Sequence, residues 1–100
     1  MKRLKKAYAN YKNNKTYPWK RRIYANHTGN YEFLKNDENE RNRLEYARHT
    51  GNYDFLKNDK NALNRAEYAK HTGDYSGLRT DLYVGNREKY EEHERMFEEI

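Results

Sequence analysis

The chain has no cysteine, which excludes a disulfide framework and any thiolate metal site. Large aliphatic side chains are scarce. Leu, Ile, Val and Phe together number 13 of 100 residues, below the share of about 20% at which disorder becomes a serious reading. No apolar run is long enough for a signal-peptide core or a membrane span, so the expectation is a soluble, cytoplasmic protein with no membrane partner. Ser76 is the only serine, no histidine–acid–nucleophile set recurs, and no glycine-rich loop carries a lysine and a hydroxyl. Those gaps exclude the usual nucleophile and phosphate-loop chemistries and point away from an enzyme, a cofactor or a small-molecule substrate.

What the chain has instead is tyrosine. It supplies 11 of the hydrophobic residues, so any core is expected to be tyrosine and alanine with a few leucines. The phenol hydroxyls then require many rings to sit half in and half out of solvent. The surplus of Asn, Lys and Tyr suggests an AT-rich genome, such as that of a phage or mobile element.

Charge is divided along the chain. Residues 1–22 hold nine basic residues and no acid, residues 23–89 hold eleven of each sign, and residues 90–100 hold Arg95 against five glutamates. This is a basic head, a neutral middle and an acidic tail.

A repeat runs through the middle. His27-Thr28-Gly29-Asn30-Tyr31 returns 22 residues later as His49-Thr50-Gly51-Asn52-Tyr53, and 22 later again as His71-Thr72-Gly73-Asp74-Tyr75. Phe-Leu-Lys-Asn-Asp follows at 33–37 and 55–59, and Asn-Arg-x-Glu leads into Tyr46 and Tyr68. A fixed period of this size marks stacked supersecondary units. The expected fold is all-α: one domain, a short solenoid-like array of about 22-residue helix-turn-helix units. Residues 1–23 form a basic N-terminal helical segment, 24–89 three tandem repeats, and 90–100 an acidic partial fourth repeat that caps the array.

Local signals place the helices. Leu4, Ala7, Tyr8 and Tyr11 share one face of a first helix over 2–14, and Pro18 opens a second that runs to Thr28. The clearest repeat predicts a long helix from Asp59, its cap, to Thr72, with Ala62, Ala66 and Ala69 on one face and Leu63 and Tyr68 beside them. Gly73 ends it. Asn30, Asn52 and Asp74 are then expected to cap a second, shorter helix carrying Tyr-x-Phe-Leu. A single continuous helix is the rival, opposed by the three glycine interruptions. In the fourth copy Glu94-Arg95 replaces Thr-Gly, so that helix is expected to run unbroken from about Asn86 to near Ile100.

Three features bear on function. His27, His49, His71 and His93 share one repeat position, which suggests either a metal or proton-relay ladder or residues closing helix ends; stacked helices roughly 10 Å apart favour the latter. The basic head interleaves cations with aromatics, a pattern suited to phosphates and unpaired bases. Its candidate residues are Lys2, Arg3, Lys5, Lys6, Lys12, Lys15, Trp19, Lys20, Arg21 and Arg22. Arg43 and Arg65 would extend the patch as a charged row, unless neighbouring Glu45 and Glu67 neutralise them. The expected partner is nucleic acid, a nucleic-acid–protein assembly or an acidic protein surface. The alternative is a protein-binding repeat module, of the kind a phage or mobile element could encode, that docks on and inhibits a host protein such as a nucleic-acid enzyme. It would use Tyr11, Tyr17, Tyr31, Tyr53 and Tyr75, tyrosine being a favoured interface anchor. Self-association through the basic head and acidic tail is a further expectation.

Overall fold

The computed structural model describes residues 10–98. All regular structure in them is helical. Residues 10–12 are helical, and a bond from the Asn14 N–H to the Tyr11 carbonyl closes the turn behind them. Four α-helices follow: α1 (Pro18–Thr28), α2 (Glu40–Thr50), α3 (Ala62–Thr72) and α4 (Val84–Glu98). Single 3₁₀ turns at Glu32–Leu34, Asp54–Leu56 and Ser76–Leu78 lie between them. None of these helices is long and apolar enough to cross a membrane.

The chain forms two compact units, divided after Asn52. In the N-terminal unit α2 packs on α1 and on the first 3₁₀ turn; in the C-terminal unit α3 packs on the second and third turns and on α4.

The His-Thr-Gly phrase ends each of the first three helices by one device. Gly29, Gly51 and Gly73 adopt φ of 75°, 77° and 80°, a left-handed conformation that glycine reaches without strain. Their N–H groups donate to the carbonyls of Ala25, Ala47 and Ala69 at 2.8–2.9 Å. The threonine does two jobs. Thr28, Thr50 and Thr72 each donate a hydroxyl to the tyrosine carbonyl four residues back, at 2.7–2.8 Å. Each also accepts the N–H two residues on, from Asn30, Asn52 and Asp74. Without Thr-Gly, α4 runs unbroken to Glu98, as the fourth copy predicts.

Helix starts differ from expectation. The cap of α3 is Asn61, whose side chain accepts the Asn64 N–H at 3.1 Å, and Asn39 caps α2 in the same way through Asn42 at 3.0 Å. Asp59 lies before the helix and accepts instead from the Asn61 N–H at 2.9 Å and the Asn64 side-chain amide at 3.2 Å. The expected second helix of each unit is one 3₁₀ turn. Asn30 and Asp74 accept the N–H groups of Glu32 and Ser76, two residues on. Such an Asx turn competes with α-helical bonding, and the carbonyls that follow pair three residues on, as in Leu34 N–H to Tyr31 and Asp37 N–H to Leu34.

The core is leucine and alanine rather than tyrosine. Ala25, Leu34, Leu44, Ala47, Leu56, Ala66, Ala69 and Leu78 are buried, and Tyr46 is the one buried tyrosine among the described residues. Most other described rings are half-buried. Leu63, expected beside the alanine face, is 58% exposed. Its place is taken by a polar row: Asn42, Asn64 and Asn86, each at most 1% exposed.

That asparagine row ties helix to helix inside each unit. The Asn42 side-chain amide donates to the Pro18 carbonyl at 3.2 Å and to Asp37. In the C-terminal unit, Asn86 donates to the Ala62 carbonyl at 3.0 Å. Pro18 and Ala62 both begin helices, and both bonds span 24 residues. A buried amide left unpaired would cost about 1–3 kcal/mol, so each bond enforces register as well as contact.

Candidate nucleic-acid interface

Segment 14–20 turns sharply. The Tyr17 N–H donates to the Asn14 side chain at 2.8 Å, and the Lys20 N–H to the Tyr17 carbonyl at 2.9 Å. Pro18 opens α1 with Tyr17 extended in front of it. This geometry leaves Tyr17 51% and Trp19 45% exposed. Trp19 meets Tyr11 edge-on at 6.5 Å between centroids and Tyr17 tilted at 6.2 Å. The Lys20 ammonium lies 5.1, 5.2 and 5.5 Å from the centroids of Tyr11, Tyr17 and Trp19, within reach of cation–π attraction to all three.

The remaining cations of the sequence-derived patch divide into two kinds. Lys15 is exposed and lies on the rim of a cleft of about 470 Å³ with Pro18, Phe33 and Asn36. Lys12 sits 5.7 Å from the Phe33 centroid and 6.0 Å from that of Tyr24. The arginines turn inward. Arg21 donates to the Lys12 carbonyl at 2.7 Å and pairs with Asp37 at 3.3 Å. Arg22 donates to the Asn42 side chain at 2.8 Å. Lys2, Arg3, Lys5 and Lys6, with the greater part of the expected 2–14 helix, lie outside the described residues.

Arg43 and Arg65 are also occupied, by backbone carbonyls and, for Arg65, by an aspartate. Arg43 donates to the carbonyls of Asp37 and Glu38 at 2.8 and 2.9 Å. Arg65 donates to those of Asp59 and Lys60 at 2.8 and 3.1 Å, and grips Asp81 through two nitrogens at 2.7 and 2.9 Å. That grip holds the Asp81 carboxyl down at about 2, helped by the Tyr83 N–H and the Asn86 side chain and opposed by burial. The glutamates pair with histidine: Glu45 with His49 at 3.3 Å and Glu67 with His71 at 3.1 Å.

His27, His49 and His71 lie in the last turns of α1, α2 and α3, whereas His93 lies within the unbroken α4; each of the last three has a ring partner. Tyr31 stacks on His49, Tyr53 on His71 and Tyr75 on His93, at centroid distances of 4.1, 4.0 and 3.9 Å and interplanar angles of 10–16°. One face of each of these interface candidates is therefore taken within its own unit. Burial and the Glu45 charge raise the Tyr31 phenol above its ordinary value. Among the described residues no group of histidines and carboxylates is placed to hold a metal ion.

The asparagine row, with Asp37 and Asp81 beside it, was not singled out by sequence. Its signal was present, since Asn42, Asn64 and Asn86 recur at the 22-residue period before each arginine. A polar residue flanked by charge simply reads as solvent-facing. No protein-family model matches the chain, and no curated protein or solved structure matches it either.

Proposed function

We propose that this chain is a non-catalytic binding protein whose N-terminal unit engages nucleic acid, alone or in a nucleic-acid–protein assembly. Its 22-residue units, on this reading, form a short helical solenoid that serves as scaffold. The observation that carries the reading is the exposed cluster of Tyr17 and Trp19 around Lys20. Charge supports it: residues 1–52 hold thirteen basic and five acidic residues, a net +8, against eight and eleven in residues 53–100, a net −3. Phosphate neutralisation by such a unit is salt-dependent and weakly sequence-specific.

Filter binding to mixed-sequence DNA and RNA across a salt series tests this. The expected result is binding at low salt with a steep slope. Replacing Lys2, Arg3, Lys5 and Lys6 by alanine should lower that slope by about one for each phosphate no longer neutralised. Absence of binding at low salt would end the reading.

One observation favours a protein partner instead. Leu82, Tyr83 and Val84 are all more than half exposed, where the matching places in earlier units carry Glu38-Asn39-Glu40 and Lys60-Asn61-Ala62. A module that docks through this apolar segment on a host nucleic-acid enzyme would bind no free nucleic acid, and replacing Leu82 and Tyr83 would abolish its capture.

A further inference from the structure

We infer that the nucleic acid taken by the N-terminal unit is single-stranded, and that an unpaired base stacks on the exposed Trp19–Tyr17 platform while Lys20 and Lys15 meet the adjoining phosphates. The inference rests on the nucleic-acid reading above and names the class of ligand.

The first support is where the first unit departs from the repeat. Tyr17 stands where Asn39 and Asn61 stand in the second and third units and where the fourth also has a tyrosine, Tyr83; Trp19 stands where Arg41, Leu63 and Gly85 stand, and Lys20 where Asn42, Asn64 and Asn86 stand. Asn39 and Asn61 cap their helices with a side-chain bond, whereas Tyr17 makes none. Such a cap is worth about 1 kcal/mol. Trp19 and Lys20 are peculiar to the first unit, and Tyr17 beside them forgoes a stabilising bond. The side chains gained, two half-exposed rings and an ammonium, form one cluster.

Geometry then narrows the ligand. The space between the three rings is already held by the Lys20 ammonium, so the cluster does not serve as a cage for an external ammonium ligand. Tyr17 and Trp19 each remain about half exposed. An acidic peptide would satisfy the lysines and leave those rings bare. In a duplex the faces of the bases are covered by their neighbours. An unstacked base presents a flat π surface, and stacking of this kind is the usual contact of proteins that hold single strands.

Trp19 is the only tryptophan, so its emission reports on the proposed stacking without a label. The full-length protein is titrated with an oligothymidylate of about twelve nucleotides, within the span of known single-strand sites, and with a duplex of equal length at the same salt. The expected result is quenching by the single strand and at least tenfold weaker binding of the duplex. Trp19→Ala should weaken single-strand binding about tenfold while leaving duplex affinity and salt slope unchanged; Trp19→Phe should restore most of the affinity. Circular dichroism of Trp19→Ala distinguishes removal of the stacking ring from loss of the fold, and if that variant unfolds, Trp19→Phe and wild-type quenching decide. Single strand and duplex bound equally with silent tryptophan would overturn the single-strand assignment and leave the electrostatic reading standing. Binding of neither would overturn both.

Discussion

In the N-terminal unit the acceptor oxygen of buried Asn42 receives a hydrogen bond from Arg22; in the C-terminal unit the matching oxygen of Asn86 has no partner. The cause is one substitution in the repeat. Arg22 and Ala66 occupy the same place relative to the two asparagines, and alanine has nothing to donate. The N-terminal unit thus uses guanidinium groups as internal ties, with Arg21, Arg22 and Arg43 all engaged with carbonyls, an amide or a carboxylate. Its exposed cations among the described residues are Lys15, Arg41 and Arg48, the last paired with Glu45. A planar guanidinium, with several donors in a fixed fork, suits internal bridging. Counting basic residues in a sequence merges these buried ties with the cations that face solvent.

The largest expected effect breaks or sharpens this contrast directly. Asn42→Leu strands Arg22, the Pro18 carbonyl and Asp37, and should lower stability by about 3 kcal/mol. Asn86→Leu strands the Ala62 carbonyl and takes one donor from Asp81, but it removes an oxygen that, among the described residues, is itself unpaired, and should cost less, about 2 kcal/mol. Urea unfolding measures both; equal destabilisation would mean that the unpaired oxygen of Asn86 carries no penalty.

Next comes the C-terminal unit's own tie. Asp81 is held at about 2, chiefly by Arg65, so its folded pKa is below the ordinary aspartate value of about 4. The stabilisation is complete above that value and disappears as pH falls toward 2. Asp81→Asn should lower stability near neutral pH by about 2 kcal/mol. It should also flatten the dependence of melting temperature on acid between pH about 4 and 2, a step that the wild type retains.

The smallest effects should be alike in the two units. Gly51→Ala and Gly73→Ala each place a β-carbon at positive φ with open space around it, so conformation alone sets the cost, about 1 kcal/mol in each case. Gly77 also has open space and no positive φ, and Gly77→Ala should change stability by less than about 0.5 kcal/mol. Thermal melts of the three variants check that the helix stops act independently of charge.

The helix stops were legible because they depend on neighbours in sequence. Glycine at positive φ and a threonine reaching back four residues need no tertiary information, and the same is true of Pro18 at the start of α1 and of the unbroken α4. The starts were misread where two polar residues compete, since Asp59 and Asn61 are both good caps and the buried amide of Asn64 decides between them. The short helices were overestimated because propensity does not register the Asx turns at Asn30 and Asp74. At the candidate interface, Lys15, Tyr17 and Trp19 are exposed, while Tyr11, Lys12 and Lys20 are half-buried. Arg21, Arg22, Arg43 and Arg65 were misjudged because their acceptors lie five to twenty residues away, beyond any local pattern.

The ties described for the asparagines, the arginine–aspartate pairs and the tyrosine–histidine stacks span 24, 16 and 18 residues in both units. Loop closure costs free energy that grows with the length enclosed, so no such tie costs more to close in one unit than in the other. Neither unit is therefore handicapped by longer loops in bringing its few leucines out of water, and a difference in their stabilities has to come from what the ties join rather than from how far they reach.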